Sequence, residues 1–327
     1  MNLNAGLTVI ITTRNRAPLL AHALRGLLQG SSHPEEILVV DNASTDDTRD
    51  MLGLLRDRSA APIQVIEERE VGYAAARNAG LSRAGHELVA FLDDDCVPDR
   101  RWVETIRRAH AEAPAALAIG GRTLGHGSSV VEQAGHLFGT YATLKGMLDL
   151  EGWLSVLRDL EQVLDRAHFV AALSTQNLSL KWSRLDGQRF DPRAGLNEDL
   201  DYCWRIYQRE PGGLRYRPDM VCFHQYRRTA AAFLAQHFLY GASYHDAKRL
   251  FLRKGTMPPH LRDGRYPRTL LDYLAFALHQ SLGAPLPIRA RGQLLSLLLS
   301  REAAFVAGYA TSALRAVRVA NPDGGER

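Results

Sequence analysis

Four short apolar runs in the first hundred residues constrain this chain more than any other feature, because each is followed by a polar turn and a segment of helical spacing. Residues 7–12 (LTVIIT), 36–40 (EILVV), 63–67 (IQVIE) and 87–92 (ELVAFL) have the length and β-branched content of buried strands. Residues 18–29 and 45–56 carry apolar side chains three to four positions apart. Ser44 is expected to cap the second of these helices, with Asp46 and Asp47 in its first turn. Strand and helix alternating at this pitch predict an α/β fold around a mostly parallel sheet. At 327 residues, with 46% hydrophobic and 23% charged side chains, the chain can bury a sizeable core. That composition excludes a disordered tail, a disulfide scaffold and a polytopic membrane protein.

The remainder reads differently. Residues 115–225 are less regular and contain Gly120, Gly121, Gly125, Gly127, Gly135 and Gly139, so long loops are expected there. From Thr229 onward the pattern is helical, and Leu294, Leu298, Phe305 and Tyr309 fall on one face. The longest apolar stretch, 292–314, is interrupted by Arg301 and Glu302, which favours a core or interfacial helix over a spanning one. Residues 225–320 hold 14 Lys and Arg against 4 Asp and Glu, a local balance of +10 within a net charge of +4. Such a segment suits a phosphate-bearing or membrane-surface partner, or a contact with a second copy. No nucleic-acid motif accompanies the charge, so nucleic acid is not an expected partner. Cys96, Cys203 and Cys222 are an odd number without a C-x-x-C pair, and are read as buried thiols rather than disulfides or a zinc site. With no basic and apolar leader at the N-terminus, a cytoplasmic location is expected, at the inner membrane face if the basic segment docks there.

The chemistry-bearing residues gather at predicted strand ends. Phe91-Leu92-Asp93-Asp94-Asp95-Cys96 ends an apolar strand in three carboxylates, at the edge where open α/β sheets bind ligands. Three adjacent acids repel one another unless a cation lies among them, and oxygen ligands suit Mg²⁺ or Mn²⁺. The alternative for this segment is a polar turn with a helix N-terminus at Pro98-Asp99. Asp41 ends the second strand, placed for a base or ribose, although Asx-rich turns before helices are common. Residues 72–80 (GYAAARNAG) offer small side chains for close approach and Arg77 as a positive fork for phosphate or a neighbouring Asp.

Together these segments resemble the family 2 glycosyltransferases. Thr12-Thr13-Arg14-Asn15 stands where that family has Pro-Thr-Tyr-Asn; residues 41–46 (DNASTD) match its Asp-x-x-Ser-x-Asp; Gly72 to Gly80 matches its Gly-x-x-x-Ala-Arg-Asn-x-Gly; and Asp93-Asp94-Asp95 matches its Asp-x-Asp metal motif. The resemblance implies a GT-A catalytic domain over 1–225, with a nucleotide-sugar half (1–115) and an acceptor half (116–225), followed by a helical basic region over 226–327. It implies donor contacts from Thr13, Arg14, Asp41, Gly72, Arg77, Asp93 and Asp94, and a Mg²⁺ or Mn²⁺ site at Asp95 with Asp93 and His224. Arg14 replaces the aromatic that would stack on the base.

Residues 197–205 (NEDLDYCWR) resemble the family's Glu-Asp-x-Asp-x-x-x-Arg segment, which makes Asp199 the general base, with Glu198 and Asp201 as competitors. Asp201 and Arg205 stand four apart and also read as an ordinary helix ion pair. Arg227 and Arg228 are placed to neutralise a leaving diphosphate. Asn177, Trp182 and Glu198 are read as acceptor-side residues, and Trp153 and Trp204 as further faces for a sugar ring, with buried packing as the alternative. The Gln-x-x-Arg-Trp segment of processive synthases is absent from His224-Gln225-Tyr226-Arg227-Arg228. The implied activity is an inverting, metal-dependent, non-processive transfer from a nucleoside-diphosphate sugar, taken as a UDP-sugar, to a glycan, lipid-linked or small-molecule hydroxyl. A sugar nucleotidyltransferase would need a glycine-rich loop after the first strand, and a dehydrogenase a G-x-G-x-x-G there; neither is present. The rival from another class is a silent nucleotide-sugar-binding scaffold.

Overall fold

The structure, a computed structural model, describes residues 5–56, 63–125, 127–146, 156–157, 159–255 and 266–320. Two compact units emerge. The first comprises Met1–His126, Ala142–Pro192 and Glu198–Gln225; the second comprises Gly127–Tyr141, Arg193–Asn197 and Tyr226–Arg327.

The first unit is built on one sheet. Its strands are β1 (Leu7–Thr13), β2 (Glu36–Asp41), β3 (Ile63–Glu67), β4 (Leu88–Leu92), β5 (Cys96–Pro98), β6 (Ala118–Gly125), β7 (His168–Phe169), β8 (Asn177–Lys181) and β9 (Leu214–His224). The order is β3-β2-β1-β4-β8-β6-β9-β5, and β7 also pairs with β9. The four strands from β3 to β4 run parallel, whereas β8 is antiparallel to both β4 and β6. In β1, Leu7, Val9, Ile10 and Ile11 are all fully buried, as are Ile37 to Val40 in β2, because both sheet faces are covered. Each such side chain contributes on the order of 2 kcal/mol of burial.

Helices α1 (Ala17–Leu28), α2 (Thr48–Arg56), α3 (Tyr73–Leu81) and α4 (Trp102–Glu112) follow the first strands. α1 has proline in its first turn and buries Ala17, Leu20, Ala23, Leu24 and Leu27, the predicted stripe. α2 begins later than expected. Asp46, not Ser44, organises its start, since Asp46 Oδ1 accepts the Thr48 N–H at 3.1 Å and the Thr48 hydroxyl at 2.5 Å. Ser44 Oγ instead accepts the Asn15 N–H at 3.0 Å, which ties the β1–α1 turn to the β2–α2 turn.

The expected long loops around residues 118–139 are replaced by β6 and by helix α5 (Val130–Gly146). The glycines mark close approach rather than turns. A Cβ on Gly121 would lie 2.8 Å from the Met220 carbonyl carbon and 2.6 Å from Asn177 Nδ2, with the Met220 oxygen nearer still. At Gly135 it would meet the Tyr226 ring at 2.7 Å. Short helix α6 (Leu160–Leu164) and helix α7 (Glu198–Arg209) also belong to the first unit, whereas most of α5 falls in the second.

The second unit carries α8 (Ala230–Lys254), α9 (Tyr266–Gly283) and α10 (Ile288–Ala320). Thr229 caps α8 by accepting the Ala232 N–H at 3.3 Å, and Gly255, at φ 64°, ends it in a left-handed conformation. Leu294 and Leu298 of α10 are buried, as the apolar stripe predicts. Arg301 is buried too, 4.1 Å above the Phe138 ring and within 5.2 Å of Tyr273 and Phe305, and is paired with Glu302. Arg291 donates to the carbonyls of Leu286 and Leu282, at 2.8 and 2.7 Å. Two cations of the basic segment therefore serve the fold. Among the described residues no helix is long and apolar enough to cross a membrane.

Candidate active site

Parallel pairing brings the carboxyl ends of β1, β2 and β4 to one edge of the sheet. Thr13 pairs with Asp41, and β4 ends at Leu92 immediately before Asp93. Asp41 is buried, and its Oδ1 accepts the Ser44 N–H at 3.0 Å. Beside it the Asn42 amide donates to the carbonyls of Glu68 and Glu70, at 3.1 and 2.7 Å, and its oxygen accepts the Gly72 N–H at 2.9 Å. Gly72 thereby anchors the start of α3 against the end of β2.

The three consecutive acids have separate partners. Asp94 accepts the Thr13 hydroxyl at 2.8 Å, and its other oxygen lies 2.9 Å from Arg16 Nη1. Burial pushes its carboxyl up to about 6, with Arg16 opposing the shift. Asp95 Oδ2 lies 3.0 Å from the same Arg16 nitrogen, and Asp95 Oδ1 lies 3.2 Å from His224 Nε2. That contact follows from strand pairing: β5 and β9 are antiparallel with Cys96 opposite His224, and the Gln225 N–H donates to the Asp95 carbonyl at 2.9 Å. Asp93 faces Arg77 Nη2 at 3.5 Å, and burial raises its carboxyl despite that cation.

Arg77 is the hub. It is buried on α3, pairs directly with Glu198 across 121 residues of sequence, and lies 5.5 and 5.8 Å from the rings of Tyr73 and Phe190. Burial opposes its charge, but Glu198 and then Asp93 outweigh burial and keep it protonated. Glu198 Oε2 is buried without a hydrogen-bond partner among the described residues. Asp199 follows at the N-terminus of α7, where its Oδ1 accepts the Leu200 N–H at 2.7 Å. Burial, and next the like charge of Glu198, push its carboxyl up to about 7. Asp201 turns away into the predicted i,i+4 pair with Arg205, at 2.8 Å.

Asp95, Cys96 and His224 each place one ligand atom within 4.8 Å of the others. Burial raises the Cys96 thiol well above its ordinary range, and a soft sulfur donor is the one of the three least suited to Mn²⁺ or Mg²⁺. What remains is a carboxylate and an imidazole, an oxygen and nitrogen donor set that fits Mn²⁺ or Mg²⁺.

Two expected acceptor-side residues have other surroundings: Asn177 is next to the acid edge but inside the sheet, and Trp182 is at the opposite edge. Asn177 is buried inside the sheet, where its oxygen accepts the Trp102 indole N–H at 2.8 Å and its nitrogen donates to the carbonyls of Arg122 and Met220. Both heavy atoms of that amide are thus engaged within the protein. β8 runs antiparallel to β4, pairing Asn177 with Leu92 and Lys181 with Leu88, so Trp182 follows the edge opposite the acids. Arg189 covers its ring at 5.1 Å. Trp204 is buried and stacks on Tyr207, and Trp153 falls outside the described residues. Arg14 is exposed in the β1–α1 turn, and Arg228 faces Glu132 at 3.8 Å within the second unit, to which Arg227 also belongs. Sequence reasoning missed Arg16, whose only signal was its place between a strand end and a proline-started helix.

Residues 8–157 match the sequence model described as Glycosyl transferase family 2. The pre-mycofactocin glycosyltransferase of Mycobacterium tuberculosis is 30% identical over 243 residues, covering 72% of this chain and 46% of that protein. The validoxylamine A glucosyltransferase of Streptomyces hygroscopicus subsp. limoneus is 38% identical over 119 residues, covering 35% of this chain and 26% of that protein. The chain thus spans about a quarter to a half of the length of these curated relatives. Among solved structures, the mannosyltransferase PcManGT from Pyrobaculum calidifontis, in complex with GDP-Man and Mn²⁺, aligns at a TM-score of 0.62 and 22% identity, over 96% of this chain and 86% of that one. Glucosyl-3-phosphoglycerate synthase from M. tuberculosis, in complex with Mn²⁺, UDP-glucose and phosphoglyceric acid, aligns at 0.51 and 16% identity, over 79% of this chain and 82% of that one. On the strand-end motifs, the sheet order and these likenesses together, residues 8–157 belong to glycosyl transferase family 2, and the chain has the GT-A fold.

Proposed function

We propose that this protein transfers a sugar from a nucleoside-diphosphate sugar to an acceptor hydroxyl, with inversion, with a divalent cation and one sugar at a time. The observation that carries the reading is the convergence at one sheet edge of the Asp95–His224 pair, 3.2 Å apart, with a carboxyl, Asp199, held near pH 7 within the Arg77 network. An acid poised there exchanges protons readily at neutral pH, as a general base must. Asp199 would take the proton of the attacking hydroxyl. Glu198, held by Arg77, would orient that hydroxyl through the oxygen that has no hydrogen-bond partner among the described residues. Asp41 and the Gly72 turn would hold the nucleoside. Thr13 and Arg16 keep Asp94 in place beside it. A divalent cation on Asp95 and His224 would supply Lewis-acid neutralisation of the leaving diphosphate.

Both solved relatives named above are complexes with Mn²⁺ and a nucleotide sugar, which supports that choice of cofactor and donor class. Single-sugar transfer is supported by the missing tryptophan after Arg228. The exposed cations of the helical unit, such as Arg228, extend the proposal to an acceptor or lipid surface that bears phosphate.

The test is release of nucleoside diphosphate from a panel of UDP- and GDP-sugars with and without Mn²⁺. Asp95→Asn should abolish the metal-dependent part. Asp199→Asn should lower kcat by a factor of roughly 10²–10⁴ and leave donor binding nearly unchanged. Tight donor binding without turnover for any acceptor would return the reading to a silent scaffold. Greater damage from Glu198→Gln than from Asp199→Asn would move the base by one residue.

A further inference from the structure

The β1–α1 turn holds a cation against the carboxylates that the proposed metal needs. A single Arg16 nitrogen bridges Asp94 Oδ1 and Asp95 Oδ2, at 2.9 and 3.0 Å, while the two carboxylates are only 5% and 11% exposed. The other Asp95 oxygen faces His224, and the other Asp94 oxygen accepts from Thr13. Arg16 is held on a short, fixed tether. Asn15 before it is left-handed at φ 54°, its side chain accepts the Thr45 N–H at 2.6 Å, and Ala17 after it begins α1.

We infer that Arg16 is a resident counter-cation of this site, competing with a divalent metal for Asp95 in the donor-free protein and released from that competition by the donor's diphosphate. The inference rests on the metal reading above. Two adjacent carboxylates repel, and Arg16 removes that repulsion without any metal. A divalent ion arriving at Asp95 must share that carboxylate with the guanidinium on Oδ2 or displace it, and in either case bears its repulsion at a few ångströms. A diphosphate offers the guanidinium anionic oxygens that its planar fork suits, so Arg16 regains a partner when it yields Asp95. Metal and nucleotide binding are then coupled through a protein side chain as well as directly, and the coupling is reciprocal.

Mn²⁺ titration followed by the paramagnetic resonance of the free ion tests this on the full chain, with and without UDP or GDP as the nucleotide probe. R16Q should bind Mn²⁺ without nucleotide about tenfold or more tightly than the wild type, the scale of removing one nearby unit charge. That gain should disappear in R16Q/D95N, and the factor by which UDP or GDP tightens Mn²⁺ should shrink in R16Q. R16K keeps the charge on a shorter side chain whose ammonium sits further from the two carboxylates and lacks the planar fork that suits a diphosphate, so it should fall between wild type and R16Q; it also serves as the readout if R16Q fails to fold. Unchanged or weaker nucleotide-free Mn²⁺ affinity in both variants, with nucleotide-dependent Mn²⁺ binding intact in the wild type, overturns the inference and leaves the metal reading standing. Absence of Mn²⁺ binding by wild type and variants with either nucleotide overturns both.

Discussion

Adding one methyl group at Gly121 should damage both the sheet and the site, and the cost follows from its neighbours. The built Cβ lies 2.8 Å from the Met220 carbonyl carbon and 2.6 Å from Asn177 Nδ2. Both must retreat by more than half an ångström to reach ordinary contact, and neither is the free end of a flexible chain. Met220 belongs to β9 at the bulge beside Gly121 and Arg122, and the Asn177 amide is fixed by Trp102 and by the carbonyls of Arg122 and Met220. Overpacking of this kind costs about 1–3 kcal/mol. Losing one or two of the buried Asn177 bonds adds about 1 kcal/mol each, so Gly121→Ala should destabilise the unit by about 2–5 kcal/mol. Gly53 is the internal control: it lies within α2 with nothing within 4 Å of its built Cβ, so Gly53→Ala should stabilise by up to about 1 kcal/mol through helix propensity. Urea unfolding followed by tryptophan fluorescence reads the correct unit, because Trp102, Trp182 and Trp204 all belong to it. His224 ends the same strand, so Mn²⁺ affinity should fall in Gly121→Ala as well. Equal midpoints for the two variants would refute the close-approach argument.

Three further outcomes are expected. With the Asp199 carboxyl near pH 7 and active as the anion, kcat should rise with pH through about 7 and level off above it, a limb absent from the residual activity of Asp199→Asn. Arg77→Met leaves the buried Glu198 and the partly exposed Asp93 without their cation and should cost about 3–5 kcal/mol at pH 8. An acid whose folded pKa is raised loses stability as pH climbs, so the deficit of Arg77→Met in urea midpoints should shrink at pH 5.5. His110 is buried against Ser179 and its imidazole is pushed down to about 3, first by burial and then by Lys181. The unfolded chain therefore binds a proton below about pH 6.5 that the folded chain refuses, and stability falls as pH drops from 6.5 towards 3. His110→Gln cannot take that proton, so its stability between pH 6 and 4 should be flatter than wild type by up to about 1.4 kcal/mol per pH unit; parallel slopes would sink the assignment.

The local pattern of the first hundred residues determined the strands, their helices and the acids at their ends, because a buried parallel strand needs an uninterrupted apolar run and its polar chemistry collects where that run stops. Asp41 and Asp93 to Asp95 were legible for that reason, and the Asp201–Arg205 pair because helical spacing alone brings residues four apart together. Tertiary structure decided which partner each acid keeps. Arg77 meets Glu198 only because α3 and α7 reach the same edge, and Asp95 meets His224 only because β5 pairs antiparallel with β9. Strand direction is not written in hydrophobic period, so the reversal of β8 that carries Trp182 away from the acids was invisible, as was the commitment of the Asn177 amide to two strand carbonyls and the Trp102 indole of α4. The glycines at 121 and 135 looked like loops for the same reason. A missing side chain records that something comes close, and only the folded chain shows that it is the backbone of Met220 in one case and the ring of Tyr226 in the other.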